Sequence, residues 1–303
     1  MGWFKRLLGR DGHDVAELAR RLDLPEQQLR DLTPAYREFS IPKSTTGSRD
    51  ICAPSDELKQ VQRRILRRLL TRLGTHPAAV GFQRGESIVT HARRHVGQAV
   101  VIRFDLANFF DSTSDARVQR YFRKIGWNRA AARLLTRLCT WIGSLPQGAP
   151  TSPRLSNLVN GRLDARLAGL AESFGAVYSR YADDLTFSFA EYRPDDVGTL
   201  RGTVRLIVED EGYLLRPKKT RIRRQHHRQL VTGLVVNRTV NLPRVTRRWL
   251  RAVVHRSKQS DWRNRSAASG LAAGRPTESL TLTASQLAGW LALLSMIDQQ
   301  RNQ

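Results

Sequence analysis

Two adjacent acids, Asp183 and Asp184, lie inside Tyr178-Ser-Arg-Tyr-Ala-Asp-Asp-Leu-Thr-Phe-Ser188, between flanks that favour β structure. Neighbouring carboxylates repel one another and are costly to desolvate. A core strand avoids such a pair, whereas a tight hairpin tip can offer it to a divalent cation. Upstream, a hydrophobic strand ends at Asp105 in Arg103-Phe-Asp-Leu-Ala-Asn-Phe-Phe-Asp111. Three carboxylates from two strands can hold two Mg²⁺ ions through hard oxygen ligands. Two such ions about 4 Å apart stabilise the attacking and leaving oxygens of phosphoryl transfer. A bare pair of aspartates is more simply a surface turn, so the rest of the chain must decide.

Charge points the same way. The 303 residues carry 51 Lys and Arg against 27 Asp and Glu, a net charge of +24. Most of the excess is arginine, whose planar fork matches phosphate. The cations recur along the whole chain, which favours a polynucleotide over a membrane-surface helix. Cys52 and Cys139 have no CxxC spacing, so no zinc or redox motif is implied, and both read as small apolar residues in a reducing compartment. His226-His227 has no partner at ligand spacing. The start, Met1 to Asp14, has too short an apolar stretch for a signal peptide, and no run approaches ~20 apolar residues. The expectation is a soluble, cytoplasmic protein with no membrane partner.

The elements that must position the acids follow from hydrophobic spacing. Residues 13–32 read as helix interrupted at Pro25, a packed N-terminal extension in preference to a helix-turn-helix. Residues 35–53 read as extended, and 56–73 as an amphipathic helix with an arginine face. A strand over 99–106 leads to Asp105, with helices at 114–125, 128–142, 154–173 and 196–212. Val177 to Phe189 holds two strand-like stretches around a polar tip, and 230–236 can pair with 239–242. From 244 the chain reads as basic and helical, broken by small residues near Ser266–Thr277. This order predicts an α+β fold, with a palm-like antiparallel sheet backed by helices on one face.

Four motifs then resemble one family. Tyr181-Ala182-Asp183-Asp184 is similar to the YxDD box of reverse transcriptases. Phe104-Asp105-Leu106, with Phe109-Phe110, resembles their first catalytic motif. Leu145 to Pro153, with Ser156-Asn157, resembles their PQG…SP motif, and Gly212-Tyr213-Leu214 through Lys218-Lys219-Thr220 their lysine motif. They stand in the family's order over about residues 36 to 250. One alone is weak; four in order are very specific. The resemblance implies a right-hand polymerase of fingers, palm and helical thumb: an extension over 1–34, fingers and palm over 35–238, and an RNA-binding thumb over 239–303.

The resemblance also implies roles. Asp105 and Asp183 match direct metal ligands, Asp184 a third acid, and the Leu106 carbonyl an added ligand, with two Mg²⁺ ions and dNTP substrates. Phe110 matches the bulky gate against a 2′-OH, although core packing is the usual fate of Phe. Gln147 matches a contact to the incoming nucleotide. Arg49 matches the fingers arginine on the triphosphate, with Lys43 a second cation; both are otherwise solvated loop charges. Lys219, or Lys218 beside it, matches the lysine that protonates pyrophosphate. Asp111 matches no ligand position and reads as a cap before the next helix.

Within the family, QGAPTSP, the Tyr181 box and Val231-Thr232-Gly233 with Asn237 are similar to retron reverse transcriptases. His91-Ala92-Arg93-Arg94-His95 aligns with their Asn-Ala-x-x-His element, with His91 where the family has Asn. That resemblance implies RNA contacts at His95, Val231, Thr232 and Gly233. The basic residues Arg244, Arg247, Arg248, Arg251, His255, Arg256 and Lys258 read as a thumb face on the duplex backbone. It further implies a cognate structured noncoding RNA copied in part into DNA, priming from an RNA 2′-OH with a branched product, and phage defence with an effector protein. The end at Gln303 leaves little room for maturase or endonuclease parts, and no RNase H-like acid cluster follows the thumb. The rivals are another bacterial reverse transcriptase (group II-like, diversity-generating or abortive-infection) and a non-catalytic RNA-binding scaffold.

Overall fold

The computed structural model describes residues 12–42, 48–257 and 282–301. Helix α1 (Val15–Leu22) starts where the Asp14 carboxylate accepts the Glu17 amide at 2.8 Å, and stops at Asp23, whose φ is 55°. Pro25 precedes α2 (Glu26–Asp31). Strands β1 (Tyr36–Pro42) and β2 (Ser48–Pro54) form an antiparallel hairpin with Ile41 opposite Arg49. Helix α3 (Asp56–Ile65) then runs into a π-helical turn, Leu66–Leu70, so the helix expected over 56–73 changes winding part-way. Helix α4 (Ile88–Arg93) opens with a capping box between Ser87 and Thr90. Strand β3 (Val100–Asp105) follows, then α5 (Asp115–Lys124) and α6 (Arg129–Cys139).

The helix expected over 154–173 is two, α7 (Ser152–Val159) and α8 (Gly161–Ser173). Asn160 separates them: its side-chain amide donates to the Ser156 carbonyl at 2.8 Å and its side-chain oxygen accepts from Arg117 at 2.9 Å. An Asn side chain that competes for backbone partners breaks a helix. Strands β4 (Val177–Tyr181) and β5 (Asp184–Phe189) flank the two-residue turn Ala182-Asp183, and α9 (Pro194–Asp210) follows. Next come β6 (Arg221–Arg224), the short pair β7 (Leu230–Val231) and β8 (Leu234–Val235), then α10 (Arg244–Ser257) and α11 (Ala284–Arg301). The expected partner of 230–236 is corrected here. Leu230–Val231 pairs with Leu234–Val235, and 239–242 contributes only the bridge from Val235 to Asn241.

The central sheet is antiparallel, four-stranded, in the order β4-β5-β3-β6. Strand alternation gives it two different faces. Val100, Ile102, Phe104, Leu185 and Phe187 point to one, where Leu163 and Leu167 of α8 and Val197, Leu200 and Val204 of α9 cover them. Arg103, Asp105, Asp184 and Thr186 share the other. A second core joins α1–α3 to α5–α7 through Leu18, Leu22, Leu58, Ile65, Phe122 and Leu135, so the N-terminal helices are packed in place. A third joins α4, β7, β8, α10 and α11 around Val89, Val101, Val231, Leu250 and Ile297. Among the described residues, no helix is long and apolar enough to cross a membrane.

Candidate active site

The acids meet because of register. Asp105, the last residue of β3, pairs with Asp184, the first of β5, and Asp184 also pairs with Tyr181 at the end of β4. Asp183 occupies the turn between β4 and β5. Its carbonyl accepts the Leu106 amide at 2.9 Å, which ties the end of β3 to the tip of the hairpin. Ala182 takes a left-handed φ of 55°, an uncommon state for a residue with a Cβ.

The tip is held from behind. Arg180 and Asp164 are both fully buried and form a bidentate pair at 2.7 and 2.6 Å. Tyr178 adds its hydroxyl to Asp164 at 3.0 Å, and the remaining Arg180 nitrogen donates to the Ala182 carbonyl at 3.1 Å. Burial alone would lower the Arg180 pKa; the charge and hydrogen bonds of Asp164 outweigh it and raise it. On the other side of the turn, the Gly81 backbone lies so close that a Cβ there would stand 2.9 Å from the Ala182 nitrogen. Asn157 fixes that approach by donating to the Gly81 carbonyl at 2.6 Å.

Two of the three acids have cationic company. Lys219 donates to Asp105 at 2.8 Å, and Arg216 lies 3.3 Å from its other oxygen. Both oxygens of Asp184 accept from Arg103 at 2.9 Å. Among the described residues Asp183 has no ion pair; burial, then the charges of Asp105 and Asp184, push its carboxyl above the usual range. Among the described residues, no three side chains of metal-binding type already converge on one point. The donor set nevertheless fits a divalent ion. Asp105 Oδ1 is buried with no hydrogen bond, Arg216 standing 3.3 Å from it as an ion pair only, and Asp183 is crowded by like charge. Hard oxygens short of donors are what Mg²⁺ binds.

The other predicted residues fall in three places. Phe110 is half-buried, its ring 5.4 Å from Phe109 and 6.4 Å from the exposed Phe82, which lies 6.1 Å from Tyr181. The Gln147 carbonyl accepts the Cys52 amide at 2.8 Å, pinning the loop of Gln147 to β2, and Arg49 is exposed on that hairpin. Lys43 lies outside the described residues, as do Lys258 and the segment Ser266–Thr277. On α10, Arg248 and Arg251 are exposed and Arg247 half-buried, opposite the buried Leu250 and Val253. Asp111 does not cap the next helix: Ser114 does, accepting the Arg117 amide, while burial and then Asp50 raise the Asp111 pKa.

Two expected RNA contacts are placed inside the protein. His95 is fully buried, its nitrogens 2.7 Å from Ser188 and 2.6 Å from Ser179, so its ring joins β4 to β5. Burial pushes its pKa down to about 3. Val231 is fully buried in the third core, whereas Thr232 and Gly233 form the β7–β8 turn with φ of 46° and 84°. His91 is buried too, with neither nitrogen hydrogen-bonded, and lies 5.6 Å from Tyr181. The residues that sequence reading overlooked are Arg103, Arg216, Arg180, Asp164 and Gly81. A signal existed for Arg103: two residues before Asp105 on one strand, it must share its face.

Carboxylates gathered at a strand end can serve metal-assisted phosphoryl transfer, and comparison with known proteins gives the family. The profile of the family "Reverse transcriptase (RNA-dependent DNA polymerase)" matches residues 41–250. The chain belongs to the reverse transcriptase family. The fold also matches telomerase from Candida albicans, solved with a fragment of telomeric RNA, at a TM-score of 0.50 and 11% identity over 76% of this chain and 51% of that one. That likeness shows the fold: a right-hand polymerase whose palm is the central sheet.

Curated relatives include retron reverse transcriptases. Retron Mx162 reverse transcriptase of Myxococcus xanthus is 37% identical over 94% of this chain, and retron Mx65 reverse transcriptase of the same organism 41% over 75%. Retron Ec86 reverse transcriptase of Escherichia coli is 37% identical over 73% of this chain and 69% of its own length. The chain spans 64% and 57% of the length of the two Myxococcus proteins.

Proposed function

We propose that this chain is the RNA-directed DNA polymerase of a retron, copying part of a cognate noncoding RNA into DNA. The observation that carries the reading is the register of Asp105 against Asp184, with Asp183 at the turn between them. Three carboxylates gathered at one end of the central sheet support metal-assisted phosphoryl transfer. Asp105 and Asp183 would hold the divalent ions, with Asp184 and the Leu106 carbonyl beside them. Mg²⁺, when bound, supplies charge for the attacking 3′-oxygen and for the phosphates.

The remaining roles belong to the chain's own groups. Arg103 holds Asp184 in place by its guanidinium. Lys219, freed from Asp105 as substrate phosphates arrive, is placed to give a proton to the departing pyrophosphate. Arg216 shares the Asp105 charge and keeps it oriented while Lys219 moves. Phe110 limits space at the sugar, and Gln147 and Arg49 orient the nucleotide from the fingers side, with Lys43. Residues 1–34 are the extension, 35–238 fingers and palm, and 239–303 the thumb, whose Arg247, Arg248 and Arg251 meet the duplex backbone with the Thr232-Gly233 turn nearby.

Retron type further suggests a product in which DNA is joined to an RNA 2′-oxygen, and a place in phage defence beside an effector protein. The test is to purify the protein from its own host and sequence the bound nucleic acid. One RNA species covalently joined to DNA through a 2′-linkage is the expected result. Unspecific RNA fragments with no joined DNA overturn the retron reading.

A further inference from the structure

Ile142 occupies a backbone state that does not suit it. Its φ is 46°, and it is 79% exposed. The left-handed region is unusual for any residue with a Cβ and most so for a β-branched one. Asn or Gly fits such a turn better, and Ile142 gains nothing from burial to offset the strain. The turn is nevertheless fixed. Trp141 and Ser144 exchange backbone hydrogen bonds at 2.9 and 3.1 Å, and the Asp115 amide donates to the Gly143 carbonyl at 2.9 Å. Trp141 is anchored in turn, its ring 4.9 Å from Tyr36 and its indole nitrogen donating to Glu38 at 3.2 Å. The fold therefore holds an apolar side chain out into solvent.

Beside it runs a basic stripe. Arg129, Arg133 and Arg137 lie on one face of α6 at four-residue intervals, about 6 Å of helix rise apart. They line one groove with Trp141 and Ile142. Arg137 is spent on the carbonyls of Leu29 and Arg30, at 3.3 and 2.7 Å. Arg129 and Arg133 are exposed, and no carboxylate among the described residues pairs with them. The acid of the groove, Asp115, accepts the Ala116 amide at 2.6 Å. The groove is thus positive, with an apolar point at its end.

Its place in the chain gives the direction. The Leu145 amide donates to the Thr113 carbonyl at 3.1 Å, binding this turn to the loop that carries Phe110. Gln147 follows within the same stretch. The groove is therefore tied, through this turn, to the loops that carry Phe110 and Gln147.

We propose that Arg129, Arg133 and Ile142 form a track for the unpaired RNA template ahead of the site. The two guanidinium groups meet successive phosphates, and Ile142 packs against a base. A duplex hides its base faces, whereas a single strand can splay a base onto an apolar side chain. A polyanion suits the charge better than a protein surface does. The inference rests on the polymerase reading, and its test can fail separately.

The experiment uses the full chain and a labelled primer–template duplex, blunt or with an unpaired RNA or DNA overhang of about ten nucleotides. Affinity is measured against salt. For Arg129→Gln with Arg133→Gln, the log–log slope on the RNA overhang is expected to fall by about 1.4, at roughly 0.7 per single-strand phosphate contact. That makes the variant about sevenfold less sensitive to a fourfold rise in salt. Blunt-duplex binding stays as in wild type.

Ile142→Asn is expected to melt higher than wild type while binding the RNA overhang more weakly. An unchanged slope, an equal loss on blunt duplex, or a loss confined to the DNA overhang overturns the proposal. So does an Ile142→Asn variant that melts higher and binds as wild type. Absence of dNTP incorporation by the wild-type protein, whatever the slopes, rejects the polymerase reading instead.

Discussion

The pair of Asp164 and Arg180 makes the support of the site testable. Asp164→Asn removes the charge that compensates a guanidinium with no solvent exposure. Breaking a buried pair by removing one partner costs about 3–5 kcal/mol, because the other charge is left uncompensated. The unfolding entropy of a chain of 303 residues is about 0.6 kcal/mol per degree. The expected fall in Tm is therefore about 5–8 °C. A second variant separates stability from function. Asp164→Leu, Arg180→Met and Tyr178→Phe together replace the polar cluster by apolar groups, which restores stability to near wild type. It also removes the hydrogen bond from Arg180 to the Ala182 carbonyl at the turn that carries Asp183. Misplacing a reacting group by about 1 Å costs on the order of 100-fold, so DNA synthesis should stay about 10–100-fold down while the melt recovers. Melting by circular dichroism and initial rates of dNTP incorporation check both. An Asp164→Asn melt within a degree or two of wild type, or full activity in the triple variant, would refute the reasoning.

Three further outcomes follow from the same geometry. Gly81→Ala sets a Cβ 2.9 Å from the Ala182 nitrogen, so the turn must shift; about 1–3 kcal/mol of destabilisation and a fall in kcat are expected, read from a melt and initial rates. Asp183→Asn should raise Tm at neutral pH in EDTA. Its folded pKa is raised, so the ionised form is disfavoured by folding above that pKa, and the gain should fade as pH falls through the carboxylate range. Adding Mg²⁺ should then raise the wild-type Tm, by about 2.7 kcal/mol of stabilisation at 100 times Kd, and leave Asp183→Asn nearly unmoved. Phe110→Ala should lower the preference for dNTP over rNTP about tenfold or more, measured as the ratio of kcat/KM values.

The ends of β3 and β5 were legible in the sequence because strand alternation and an acid after a hydrophobic run are local signals. The order of the motifs was legible for the same reason. What required the fold was pairing. That Asp105 stands opposite Asp184 depends on register across 79 positions of chain, and the partnership of Asp164 with Arg180 on a contact between α8 and β4. A buried arginine on a strand and an acid on the apolar face of a helix hint at such a pair, but neither names the other. His95 carried the opposite lesson. Its match to the Asn-Ala-x-x-His element implies an RNA contact, yet two small hydroxyls, Ser179 and Ser188, make a pocket in which it is buried and satisfied. Val231 likewise reads as part of a contact motif and is core. The break of the long helix at Asn160 was readable in principle, since Asn competes for backbone partners.

Primer extension by the purified protein on an RNA template, with Mg²⁺ and dNTPs, tests the central claim most directly when wild type is run beside Asp105→Asn, Asp183→Ala and Asp184→Ala. Template-directed DNA synthesis by wild type that EDTA abolishes is expected, with its loss in Asp105→Asn and Asp183→Ala although both still bind the duplex. Synthesis that survives in either variant, or a wild-type protein that binds RNA and never extends a primer, contradicts it.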